Sequence, residues 1–184
     1  MKEWKKSIGL KFIIMLPVVT LGIVSIISNI TAINNIQKVN SNALVITDRM
    51  LPDIQELSAM RQMAQEIHNR ALAHIIATDY DTMIQVTELI KAQEAELDSR
   101  LEQYSEYVNE QDRTVYDSLL ANYDSFKKAI VHLTACSADS KTAEAYAWAN
   151  GQVAASGEAM LEDMNTMMED ITFRAETARE RLAV

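Results

Sequence analysis

Apolar residues recur at steps of three and four along almost the whole of this chain, except at its start, where they run together. Phe12 to Gln37 is 26 residues without a charge, bounded by Lys11 and Lys38. About 20 such residues at 1.5 Å each cross a ~30 Å hydrocarbon core, and only a helix satisfies its own backbone there. The helical seam continues from Ala32 through Ile36, Val39, Ala43, Ile46 and Met50, then through Leu57, Met60, Ala64, Ile67, Ala71 and His74. Pro52 interrupts it and biases Leu51 away from helix, so a kink, or a short break capped by Asp48 or Asp53, is expected there.

Thr78 to Asp81 is the first turn, with Asp79 or Asp81 able to cap the next helix. That second helix is expected over 82–108, on the stripe Met83, Val86, Ile90, Leu97, Leu101, Tyr104 and Val108. A third, over 113–136, comes after a polar turn in which Asp112 is able to cap. Its stripe is Tyr116, Leu119, Tyr123, Phe126, Ile130 and Leu133. Ser140 is the N-cap candidate for a last helix over 140–182. That helix wavers near Asn150-Gly151, then steps regularly through Leu161, Met164, Met168, Ile171, Ala175, Ala178 and Leu182. Four amphipathic helices on short turns bury their stripes only against one another, so the fold class is all-α: an N-terminal transmembrane helix (12–32) continuing into an up-down-up-down four-helix bundle over 33–184. Residues 33–78 and the last helix are longer than the two between. Their overhang at the membrane end needs another partner, and a parallel homodimer would supply it.

Charge orients this picture. Residues 1–11 hold four lysines against Glu3, which keeps that end in the cytoplasm and puts everything past about residue 32 outside. A signal peptide would have a shorter apolar core and a small-x-small cleavage site, which Ser28 to Ala32 provide only poorly. The whole chain carries −9, so the part beyond the first eleven residues is markedly acidic, which argues against nucleic acid and anionic lipid surfaces. Four glycines and two prolines among 184 residues suit helix. The single cysteine, Cys136, reads as a small hydrophobe at a helix end; a bridge to a second copy is the other reading. Leu182-Ala183-Val184 reads like the start of a second span, and the chain is expected to be a fragment or a frame cut short.

With its anchor, continuous first helix, Leu51-Pro52 step, Ile67-His68-Asn69-Arg70 and His74-Ile75-Ile76 before an Asp-containing turn, the chain resembles the four-helix-bundle ligand-binding domain of bacterial methyl-accepting chemotaxis receptors. The resemblance covers Phe12 to Val184. It implies a sensor in the plasma membrane, its bundle outside, for a small molecule or a periplasmic binding protein. Helix four would shift against helix one on binding, and a second span would carry the shift inward. In aspartate-sensing members, arginines of helix one and polar residues opening helix four grip the ligand. Arg61, Arg70 and His74 on helix one, and Tyr146 and Trp148 as an aromatic wall at the start of helix four, are the corresponding candidates, although the full arginine set of those receptors is absent.

Each candidate has a plainer role. Arg61 and Arg70 could pair with Glu66 or another carboxylate, and His74 falls on the apolar seam, as a hydrogen-bonded core histidine would. Met160, Met164, Met167 and Met168 sit at core spacing. His68 and His132 lack any metal or haem spacing, so neither a metal nor a cofactor is expected. No glycine-rich phosphate loop and no Ser or Cys beside a base is present, so no residue is assigned a catalytic role. A histidine kinase or diguanylate cyclase could carry the same bundle, and a single-span scaffold protein without a small ligand is the alternative of a different class.

Overall fold

The computed structural model describes residues 2–180. Its first element is a single helical rod from Lys2 to Ile76: α1 (Lys2–Val45), a π-helical turn (Ile46–Met50) and α2 (Leu51–Ile76). One stretch of this rod near the N-terminus is long and apolar enough to cross a membrane, with a mean hydropathy of 2.0 over 18 residues, none of it buried. The described part of it from Phe12 to Ser41 is exposed apart from Ile13, of which nothing is described.

Of the kink or short break expected at Leu51-Pro52, the break does not occur. Leu51 keeps helical angles (φ −67°, ψ −45°) and donates its N–H back to Ile46 O, five residues earlier. A proline ring clashes with the carbonyl four residues before it. Widening the turn just ahead of Pro52 gives that ring room, so the helix passes through, with Pro52 in its first turn and no cap from Asp48 or Asp53.

The rod ends at Ile76, and α3 (Tyr80–Tyr104) is capped by Asp79, one of the two expected caps. It starts and ends earlier than the expected 82–108 and leaves Val108 in the loop. Asp79 accepts from the Thr82 N–H at 2.8 Å and from the Thr82 hydroxyl at 2.9 Å. The Thr82 backbone bond, then its hydroxyl, holds this carboxyl below its ordinary range. α4 (Arg113–Ala138) starts at Asp112, but Asp112 makes no capping bond. Asn109 turns the loop instead, accepting from the N–H groups of Gln111 (2.8 Å) and Asp112 (2.9 Å).

Ser140 is not the N-cap expected of it. It lies in the left-handed region (φ 61°) and closes α4: its N–H bonds Ser137 O, and the Lys141 N–H reaches back to Cys136 O at 2.9 Å. This is the six-to-one closure of a Schellman motif, in which the left-handed residue stops one helix and cannot cap the next. The fourth helix then runs unbroken as α5 (Thr142–Trp148), a second π-helical turn (Ala149–Val153) and α6 (Ala154–Glu180). The expected wobble at Asn150-Gly151 is this wide turn. Among the described residues there is no strand.

The stripes of α2, α3 and α4 are buried largely where periodicity puts them. Leu57, Met60, Ile67, Leu97, Leu119 and Leu133 are sealed from solvent. In α6 the buried line is Met160, Met164, Met167 and Ile171, while Leu161 and Met168 are only half-buried. The buried line shares Met164 and Ile171 with the expected stripe and takes Met160 and Met167 in place of Leu161 and Met168. α3 packs chiefly on α2, α6 on α4 and α2, and α2 faces α4 across the short diagonal. Two buried phenols pin α3 to α4: Tyr116 donates to Leu101 O (2.5 Å) and Tyr123 to Glu94 O (3.1 Å). Leu182 and the suggested second span fall outside the described residues.

Candidate functional site

The five residues suggested by the sequence do not meet in one pocket. Nine residues at 100° put Arg61 and Arg70 on opposite sides of α2. Arg61 faces α6 and donates to Asn165 Oδ1 at 2.8 Å. Arg70 is half-buried, its Nε shielded and without a hydrogen-bond partner, and it joins no ion pair among the described residues. Glu66 serves neither arginine; it accepts from Gln62 and Gln93 instead.

His74 is buried between α2 and α4. Ser137 Oγ donates to the His74 carbonyl (3.0 Å), which leaves the same oxygen to accept from Nδ1 at 2.9 Å. That places a proton on Nδ1, and burial lowers the His74 pKa, which favours the neutral ring. Two residues apart on a helix are about 200° apart, so Tyr146 and Trp148 form no common wall. Tyr146 is exposed, and Trp148 stacks on His132 of α4 with ring centroids 4.7 Å apart.

The polar chemistry gathers at the other end of the bundle, beside the first π-helical turn. Asp112, released from capping, is buried at the start of α4. It accepts from Arg174 of α6 at 2.8 Å and from Asn109 at 2.7 Å. Arg174 Nε also lies 3.0 Å from Asp170, one turn back on α6, but off the hydrogen-bond axis. Asp53 of α2 and Tyr104 of α3 complete the group. Arg174, with Arg49 at the edge, thus faces three carboxylates in a partly shielded space. Burial raises the Asp112 carboxyl above its ordinary range and outweighs the opposing charge of Arg174. Burial raises Asp53 in the same way, against Arg49 and Arg174. The Tyr104 phenol is pushed up by burial and then by the charges of Asp53 and Asp112. This cluster joins the loop 105–112, the rod and α6 at one point.

Beside it lies a cleft of about 550 Å³ between the rod and α3. Asp48, Arg49, Asp53 and Glu56 line one side, and Glu96, Arg100, Tyr104 and Tyr107 the other. Arg100 is held by Glu56 at 2.7 Å and by Glu96 at 3.0 Å. Sequence reasoning passed over this end because its partners are remote: Asp112 and Arg174 are 62 positions apart. One local signal was available. Ile46-Met50-Ile54 and Ala145-Ala149-Val153 each take two steps of four in succession, slower than an α-helix turns, as a π-helical turn requires.

α6 meets the core through methionines. Met160, Met164 and Met167 are fully buried, and Met168 meets the Ser58 hydroxyl at 3.7 Å. Unbranched thioether chains repack more readily than branched ones, so this interface yields to small shifts of the helix at low cost.

A family model described as a four helix bundle sensory module for signal transduction matches residues 5–181. A search of curated proteins finds no match to the chain.

Proposed function

The chain belongs to the family of four-helix-bundle sensory modules for signal transduction, and from that premise we propose that it is the ligand-sensing part of a bacterial chemoreceptor. The bundle stands outside the plasma membrane and the lysine-rich N-terminus inside. The observation that carries this reading is the unbroken rod Lys2–Ile76, whose N-terminal part is apolar enough for a bilayer and whose C-terminal part supplies the buried Leu57, Met60 and Ile67. A helix continuous from lipid to core couples the two mechanically. A ligand that binds two packings of the bundle unequally shifts their populations, and α6, seated on methionines, is the element free to move. Two copies pair in parallel through the exposed Ile33, Ile36 and Val39 of α1, which the bundle leaves uncovered.

Membrane-impermeant maleimide tests the topology. In full-length protein carrying Cys136→Ser, Glu88→Cys on exposed α3 is labelled in intact cells, and Ser7→Cys only after lysis. The reverse pattern would place the bundle inside and sink the proposal. In the same background, Ile36→Cys gives a disulfide-linked dimer under mild oxidation and Glu88→Cys does not; failure of Ile36→Cys to cross-link rules out the parallel dimer.

A further inference from the structure

The cleft beside the first π-helical turn has an uneven charge and an aromatic wall, and its inner carboxylate, Asp53, is held by no hydrogen bond or ion pair among the described residues. Arg100 is occupied by both Glu56 and Glu96, so that trio carries one net negative charge. Asp48 and Arg49 are exposed at the rim and cancel in sum. Asp53 is half-buried and accepts no hydrogen bond among the described residues. Arg49 precedes it by four positions, a spacing that pairs opposite charges on an α-helix. The two form no ion pair among the described residues, although the Arg49 charge still acts on Asp53. The interior is left with two excess negative charges beside Tyr104 and the half-exposed ring of Tyr107.

We infer that this cleft binds a small organic cation, an amine or quaternary ammonium, with its charged head between Asp53 and the ring of Tyr107. The volume is that of an ordinary small-molecule site. A carboxylate that has lost part of its hydration without gaining a hydrogen bond, next to an aromatic face, is an arrangement that favours an ammonium over water. Anions are repelled by the surplus carboxylates. Burial keeps the Asp53 carboxyl above its ordinary range, and a bound cation reverses that penalty. The site deepens the sensory reading and rests on it only for the claim that occupancy is signalled.

Calorimetric titration of full-length protein in lipid nanodiscs with putrescine, tetramethylammonium and, as an inorganic control, magnesium tests the site. Putrescine and tetramethylammonium are expected to bind saturably, and magnesium is not. Asp53→Asn keeps the shape and should weaken putrescine at least about tenfold, as expected for losing a charge-assisted partner. Tyr107→Leu should weaken tetramethylammonium about threefold to fivefold. Glu169→Gln, on the outer face of α6, should change neither. Because Asp53→Asn removes a penalised charge, it should melt no lower than the wild type, which separates loss of the site from loss of the fold. No saturable binding at 10 mM, equal binding by Asp53→Asn, or equal binding of magnesium overturns the inference. Spin-label distances between positions 44 and 176, with and without putrescine, read the signal separately. Saturable binding upholds the site, and an unchanged distance then overturns the signalling role instead.

Discussion

Replacing Arg174 by Met removes the cation paired with Asp112 from the Asp112, Asp170 and Asp53 cluster while keeping the aliphatic stem. The Arg174 side chain is 30% exposed and that of Asp112 9%. A fully buried pair costs about 3–5 kcal/mol when one partner is removed, and an exposed pair about 0–1 kcal/mol. With one end buried and the other partly wet, the expected loss is about 2 kcal/mol at pH 7, between those limits. For a domain of this size that lowers Tm by about 4–8 °C, followed by circular dichroism on the full chain in detergent. The Arg174→Met deficit should narrow as pH falls from 7 towards 4. With the guanidinium gone the Asp112 pKa climbs further, and the protonated acid no longer needs a counter-charge. Asp112→Asn added to Arg174→Met should recover about 1 kcal/mol, since the stranded charge goes with it. An Arg174→Met protein melting within 1 °C of wild type, or Asp112 and Arg174 effects that simply add, would refute the account of this joint.

Ser137→Ala strips His74 of its one side-chain partner among the described residues and should cost about 1–2 kcal/mol in a denaturant titration, because a buried Nδ1–H is left without an acceptor. Met164→Ala empties a fully buried position between α6 and its neighbours and should cost about 2–5 kcal/mol. Burial lowers the folded pKa of both His68 and His74. The unfolded chain therefore takes up protons first, so their contribution is complete above about 6.5 and is lost as pH falls through 6.5 towards the folded values. His74→Gln should flatten the fall in stability between pH 7 and 5. Asp53 and Asp112, whose folded values are raised, act with the opposite sign: acidification towards 3.8 relieves them, and comparing His74→Gln with wild type subtracts that part.

Most of the bundle was legible because helix seams are local. Leu57, Met60, Ala64 and Ile67 share a face whatever they pack against, and Tyr116 to Leu133 likewise. Asp79 could be read as a cap because capping needs only the next three residues. Asp112 and Ser140 misled for one reason: both have the side chain for a cap, but distant or preceding groups claimed them. Arg174 took the Asp112 carboxylate, and the closure of α4 took the Ser140 backbone. Arg61, Arg70, His74, Tyr146 and Trp148 were plausible as types, but helix phase alone separates Arg61 from Arg70 and Tyr146 from Trp148.

The sequence by itself determined that this is a chain of long helices with an apolar first stretch, because period and length are properties of neighbouring residues. Tertiary structure decided the rest. It turned a proline step into a wide helical turn rather than a break, since the wider turn gives the proline ring room. It also chose which carboxylates would share Arg174 and which would face an open cleft. Those outcomes depend on groups brought together from positions 53, 104, 112 and 174, and no local pattern encodes the distance between them.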